Sequence, residues 1–409
     1  MKVLIVEEAL EGLHGHYFQY IRDMVQSGRE AGNEIDILAH VNACPEVKDI
    51  LGGQPVLRRS THHAQPPMSK IQRFRKIHEH GLDLYQDVMS WLERSGRHYD
   101  VTIFPTVRVD HLGALKRLAR PGHAMALGQL ITLIIESPGA LQDDGSFRFP
   151  PANWPYRALL WMLGKSSSNA RLTFAAESHG IARQLQRFSD IPFMYLPHVT
   201  EMPPDIVRKA LPADEKAVAT FGTFGFTRYD KGLDVMQSAL HRLPYEQRSN
   251  MHFVMQWTGD YSLPDGTQIV KDPELQKSPG IEYIGRFSDS EDYYRWLSKI
   301  DGIVLPYRKD FYREKMSRVA VDSALLGLPA VYPKGTWLEE EFFCDYGAGV
   351  SFDAENVESL AAAILELRHR LPELTALAME RKKKTKADFC SRRFFSMIEK
   401  SVSDKKAKA

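Results

Sequence analysis

Two acidic residues eight positions apart, Glu314 and Asp322, stand in the chemically richest stretch of the chain, IDGIVLPYRKDFYREKMSRVAVDSALLGLPAV over 300–331. Carboxylates at such a place can hold hydroxyl groups, accept a proton or simply sit in solvent. A second set lies upstream in TFGFTRYDKGLD over 223–234, where Arg228 and Lys231 follow the glycines Gly222 and Gly225 and precede a helical pattern. Backbone N–H groups at a helix start, joined by two cations, are suited to a phosphate or diphosphate. A third set, Gly12, His14, Gly15 and His16, follows the apolar run Val3–Val6. It lacks the GxGxxG spacing of a dinucleotide site, and its histidines either contact a ligand or lie exposed on a loop. Finally, Glu136 closes the run LITLII over 130–135, either as a base or hydrogen-bond acceptor for a hydroxyl or as a surface charge at a strand end.

These residues need elements to hold them. Gly302 to Leu305 is a short apolar run stopped by Pro306, the pattern of a buried parallel strand. Val321, Ala324 and Leu325 recur at i, i+3 and i+4, so a short helix follows the charged loop; Gly327 and Pro329 end it. Ala330 to Tyr332 begins the next strand. Residues 217–222, 251–257 and 281–284 read as further strands of the second half, and 3–6, 34–39, 100–105, 130–135 and 171–176 as those of the first. Ligands of open α/β sheets bind at the carboxyl ends of strands, where the charged loops fall. Pro203, Pro204 and Pro212 mark a break between two halves.

The composition, 43% hydrophobic and 26% charged, is that of an ordinary globular chain, and a net charge of +1 gives no electrostatic reason to expect a nucleic-acid partner. Three scattered cysteines imply a reducing compartment and no metal site. No run approaches the roughly 18 apolar residues of a membrane span, and the first residues do not form a signal peptide, so a cytoplasmic location is expected. The stretch 55–80 is basic, and Ile71, Phe74 and Ile77 recur at i, i+3 and i+6. Such a helix either faces the core with its charges solvated or makes a peripheral contact, through 68–80, with an anionic inner membrane face. A loop over 139–160 with embedded aromatics is a candidate flap. The lysine-rich last eight or so residues are expected to lack fixed structure.

The 314–331 stretch resembles the Glu-x7-Glu signature of retaining GT-B glycosyltransferases, in particular glycosyltransferase family 4: Glu314 falls on the first acid, Asp322 on the second, and Ser323 to Val331 on the small-apolar run ending in Gly-x-Pro-x-Val. The 222–234 stretch is similar to that family's Gly-rich turn leading to Lys-Gly-x-Asp. The resemblance implies two Rossmann-like domains facing a central cleft: an acceptor-binding domain over 1–199, with a C-terminal helix over 386–402 packing back on it, and a nucleotide-sugar-binding domain over 200–385. It also implies that Glu314, Lys231, Arg228 and Glu136 serve the reaction. Gly15, Gly222, Gly285, Met316, Ser317, Arg318 and Asp322, with Lys231 and Arg228, would contact the donor. Transfer of sugar from a nucleotide-diphosphate sugar to a glycan, lipid-linked or small-molecule acceptor is the function implied, with retention; no aspartate-rich metal motif is evident in the sequence, so no cofactor or metal is expected to be required. Three departures, Lys315 and Ser317 where glycines are usual and Asp322 for glutamate, keep open a catalytically weakened protein that binds sugar nucleotide or glycan as an assembly partner. A sugar-nucleotide epimerase is the other alternative.

Overall fold

Val3, Leu4 and Ile5 are all fully buried, although alternate residues of a strand point to opposite faces. That strand must be covered on both sides, which is the environment of a parallel sheet between helices. The computed structural model describes the chain apart from residues 14–15, 62–68, 136–138, 143, 151–152, 166–170, 189, 204, 209–217 and 409. It divides into two units, Met1–Val199 with Cys390–Ala409, and Thr200–Phe389.

In the first unit the strands are β1 (Lys2–Val6), β2 (Glu34–His40), β3 (Gly53–Leu57), β4 (Val101–Val107), β5 (Gln129–Ile134), β6 (Leu172–Ala176) and β7 (Phe193–Tyr195). They form one sheet in the order β3-β2-β1-β4-β5-β6-β7, with every pair parallel. Its helices include α1 (His16–Glu30), α2 (Lys70–Ser95), α3 (Val109–Leu118) and α4 (Trp154–Gly164). The aromatic stretch expected as a flap is a small antiparallel hairpin, Ala140–Leu141 with Phe147–Arg148, followed by α4. Pro155 in the first turn favours that helix start, because its missing N–H would have had no intrahelical partner.

The second unit has β8 (Ala219–Thr223), β9 (Met251–Gln256), β10 (Ile281–Ile284), β11 (Gly302–Val304), β12 (Ala330–Pro333) and β13 (Gly349–Phe352), in the order β10-β9-β8-β11-β12-β13, again all parallel. Its helices include α5 (Leu233–Arg242), α6 (Ser290–Lys299), α7 (Arg318–Leu325), α8 (Val357–His369) and α9 (Leu371–Asp388). The chain builds outward from β8 to β10, then returns to β8's other side with β11. The strand order therefore reverses between β8 and β11, and ligand crevices of doubly wound sheets lie at such a point.

The end of α9 is pinned by Phe389, which packs edge-on to Phe342 and Tyr346 while its carbonyl accepts from Thr200 N–H at 2.9 Å. Helix α10 (Ser391–Lys408) then belongs to the first unit, burying Phe394, Phe395 and Ile398 beside Tyr20 and Met24 of α1. The lysine-rich end does not lack structure: the helix runs to Lys408. Val402 is buried, and Lys405 Nζ donates to the carbonyl of Leu172, so the last turns have partners that composition does not reveal.

Candidate functional site

In the second unit the loops after β8 and β11, the two strands at the reversal, carry Arg228, Lys231 and Glu314. Their fixed point is Gly232, with φ +66°, where a Cβ would stand 1.8 Å from the Pro306 carbonyl oxygen. Only glycine permits that approach, and it presses the Lys231 turn onto the start of the β11 loop. Arg308 fastens the same junction. Its guanidinium donates to Asp234 at 2.5 Å, to Glu355 at 2.9 Å and to the Tyr229 carbonyl at 3.3 Å. Asp234 also accepts from the Tyr261 hydroxyl at 2.7 Å. The aspartate of Lys-Gly-x-Asp thus holds the first turn of α5 to the β11 loop.

Lys231 is buried, and its Nζ lies 3.9 Å from the centre of the Tyr307 ring and 4.8 Å from that of Tyr312. Among the described residues it has no carboxylate within ion-pair range. Burial pushes its ammonium down to about 7; Asp230 opposes the shift, while Arg228 and Lys315 add to it. Gly225, at φ +126°, takes a backbone conformation that suits glycine and lies against the lysine stem. Arg228 makes two bonds to Asp230, at 2.9 and 2.8 Å. Against the burial of both, this pairing holds Arg228 above and Asp230 below their ordinary values. Lys315 Nζ lies 5.9 Å from the Tyr312 ring centre. Three cations therefore gather around two tyrosine rings with Asp230 as the nearest counter-charge, an arrangement that favours an incoming anion.

Glu314 and Met316 are buried in the β11 loop, and Ser317 caps α7 by accepting from Ala320 N–H at 3.4 Å. Asp322 is one α7 turn beyond Arg318 and 2% exposed. It accepts from the hydroxyls of Tyr293 and Tyr294, at 3.0 and 3.1 Å, and from Arg318 Nε at 3.0 Å. Three of the carboxylate's about four acceptor positions are taken within the unit. Gly285 lies exposed after β10, beside Arg286, which stands over the Phe226 ring at 5.6 Å. Gly222 sits inside β8, where a Cβ would meet Ile300 at 2.7 Å and Phe224 at 2.9 Å, so its missing side chain serves packing. Gly15 and Glu136 lie outside the described residues, as does His14.

Sequence reasoning passed over Tyr307, Arg308 and Tyr312. The only sign of them was the density of aromatic and basic residues in YRKDFY. It also missed a cluster in the first unit, at the reversal between β1 and β4. Glu8, buried, accepts from Thr61 N–H and Oγ1, both at 2.6 Å, from His80 Nε2 at 2.8 Å and from His111 Nε2 at 3.1 Å. Opposing the cost of burial, the two histidines hold its carboxyl well below the usual range. A Glu with two histidines has the donor set of a metal centre. Here, however, His111 Nδ1 accepts from Arg108 N–H at 2.8 Å, which puts the ring proton on Nε2, the atom facing Glu8. That nitrogen is a hydrogen-bond donor to the carboxylate, and the cluster ties β1 to α2 and α3. Neighbouring Glu7 is the opposite case. Its burial pushes it up to about 7, a shift that Glu8 reinforces and that Ala9 N–H and the Thr106 hydroxyl resist.

Residues 215–370 match the family model described as Glycosyl transferases group 1. The match lies within the second unit and, together with the two parallel sheets, supports a transferase of GT-B architecture. It is similar in fold to sucrose-phosphate synthase from Thermosynechococcus elongatus, at TM-score 0.66 and 12% identity over 100% of both chains. The HepE protein of Anabaena, solved in complex with UDP-glucose, gives TM-score 0.62 and 14% identity over 99% of this chain and 100% of that one. The catalytic domain of starch synthase IV from Arabidopsis thaliana, bound to ADP and acarbose, gives 0.58 and 9% over 98% and 99%. No curated protein matches the chain in sequence.

Proposed function

We propose that this transferase moves a sugar, with retention, from a nucleotide-diphosphate sugar to a hydroxyl of a glycan, lipid-linked or small-molecule acceptor. The observation that carries the reading is Lys231: a buried ammonium without a carboxylate partner among the described residues, set against a packed pair of tyrosine rings at the sheet's reversal point. A diphosphate supplies the missing counter-charge. As the bond to the sugar breaks, negative charge grows on the departing phosphate, and Lys231 and Arg228 stabilise it more than they stabilise the intact donor. Three fixed cations make a metal unnecessary for that step. Glu314 holds the sugar, and the acceptor hydroxyl attacks from the face that the diphosphate leaves. Glu136 serves the acceptor side, on the first unit. Met316, Ser317 and Arg318 at the start of α7 meet the nucleotide, and Asp322 uses its remaining acceptor position for the ribose. HepE, solved with UDP-glucose, and starch synthase IV, solved with ADP, support a nucleotide donor.

The Asp322 contacts favour a second reading, a sugar-nucleotide-binding protein with weakened catalysis, because Tyr293, Tyr294 and Arg318 already occupy most of that carboxylate. Thermal unfolding against UDP-, GDP- and ADP-sugars, with Lys231→Ala and Glu314→Ala alongside, tests both. A shift with one donor that disappears in both variants, accompanied by transfer to an acceptor, supports the transferase. A shift without turnover on any acceptor class supports the second reading, and no shift with any donor removes both.

A further inference from the structure

The first two turns of α2 do not do what the rest of the helix does. From Ile77 onward its apolar residues enter the core, with Leu84, Val88 and Leu92 all at or below 5% exposure. Ile71, at 82% exposure, and Phe74, at 52%, share the spacing of Ile77 but are left in solvent. The helix start is nevertheless well made: Ser69 Oγ accepts from Gln72 N–H, and Gln72 Oε1 accepts from Ser69 N–H at 2.9 Å. A capped helix end that keeps its large apolar residues exposed calls for a partner surface.

Helix α4 extends that surface. Its Leu160 and Leu163 are buried, while Trp154 and Trp161, seven residues apart and hence on one helical face, are 47% and 58% exposed. Phe74 stacks on Trp154, with ring centres 5.9 Å apart and planes within 9°, so the two exposed faces are continuous. Around them the charge has one sign. The segments 58–78 and 145–176 carry ten lysines and arginines and not one aspartate or glutamate, in a chain whose 53 cations and 52 anions nearly balance as a whole. Arg58 and Arg59 are spent on Asp87 and Asp83, and Arg75 is paired with Glu79. Arg73, Arg157 and Lys165 are exposed and have no ion pair among the described residues.

We propose that this face, the first turns of α2 with the outer face of α4, docks on the anionic headgroup surface of a lipid bilayer. Tryptophan and phenylalanine rings settle at the depth where hydrocarbon meets headgroups, and cations beside them reach the phosphates. The face exposes large apolar side chains, as insertion into a yielding interface requires, and its charge complements an anionic leaflet. It lies outside the donor site and does not rest on the reading of Lys231.

The test is flotation of the full chain with vesicles of phosphatidylcholine alone or with one-quarter phosphatidylglycerol. The expected result is binding only to the anionic vesicles, weakened by added salt and reduced at least about tenfold in an Ile71→Glu/Trp161→Glu variant whose thermal unfolding is unchanged, because both side chains are exposed. Quenching of tryptophan emission by lipids brominated in the acyl chains, lost in Trp154→Leu/Trp161→Leu, would place the rings at that depth. Equal binding to both vesicle types, no binding to either, or binding that the Glu variant retains would overturn the proposal. So would capture of an acidic protein by this face without vesicle binding.

Discussion

Lys231 should gain a proton when a nucleotide sugar binds. In the free protein its ammonium is pushed down to about 7 by burial, from an ordinary value of 10.5. At pH 8 only about one-tenth of the molecules then carry the proton, while a diphosphate beside Nζ restores the charged form. Binding at pH 8 should take up about 0.9 proton per donor molecule, and binding at pH 6 about 0.1. The apparent Kd should rise about tenfold per pH unit above 7 until the pKa of the complex is reached. The diphosphate diester of a nucleotide sugar does not titrate in this range, so the proton belongs to the protein. Titration calorimetry in two buffers of different ionisation enthalpy reads the uptake directly. Lys231→Arg, whose side chain stays charged at every pH used, should abolish the uptake. Binding at pH 8 with no proton uptake, or uptake that survives in the arginine variant, would refute the assignment. The same shift has a consequence for folding. Between pH 7 and 10.5 the unfolded chain holds more protons at this site than the native one, so Lys231 makes stability rise with pH across that window, and Lys231→Met should flatten the slope.

Glu7 gives the opposite slope. Its native value is raised from 4.5 to about 7, so the native state holds more protons between those values. Its contribution is complete below 4.5 and is lost as the pH rises through 7; in urea unfolding, Glu7→Gln should remove that decline. Arg308→Ala leaves Asp234 without its buried cation and frees the junction of the Lys231 turn. Unfolding in urea should show a loss of about 3 kcal/mol, and donor-dependent thermal stabilisation should fall with it. Gly232→Ala places a methyl against the Pro306 carbonyl at a left-handed position, costing about 1–3 kcal/mol from the backbone alone. If donor binding survives that change unaltered, the close approach does not position Lys231.

Much of the fold was legible in the chain itself. Runs such as Val3–Val6 and Gly302–Leu305 have no polar alternation because parallel strands are buried on both faces, and their spacing by helical patterns leaves few architectures. The Lys231-Gly232-x-Asp234 turn and the Gly327 and Pro329 stop are also written locally, since each depends on the backbone freedom of one or two residues. That Asp234 faces inward to Arg308 is a tertiary fact, because the two residues lie 74 positions apart. The same holds for Tyr307 and Tyr312, whose packed rings meet Lys231 only when β8 and β11 lie side by side.

Periodicity was least informative where it was most regular. Ile71, Phe74 and Ile77 form one apolar stripe in sequence, yet only Ile77 is covered, since periodicity defines a face without saying what lies opposite it. Glu7 and Glu8 are likewise equivalent in the sequence, adjacent carboxylates at a strand end. The fold separates them. Their side chains point to different surroundings, one toward a lone hydroxyl and a single N–H, the other toward two histidines and a threonine, so one is driven toward the neutral form and the other is held ionised. Sequence alone determined the central buried strands and the tight turns, because those depend on near neighbours. Tertiary structure decided which charges are paired, buried or left open, because desolvation and Coulomb energy depend on residues far away along the chain.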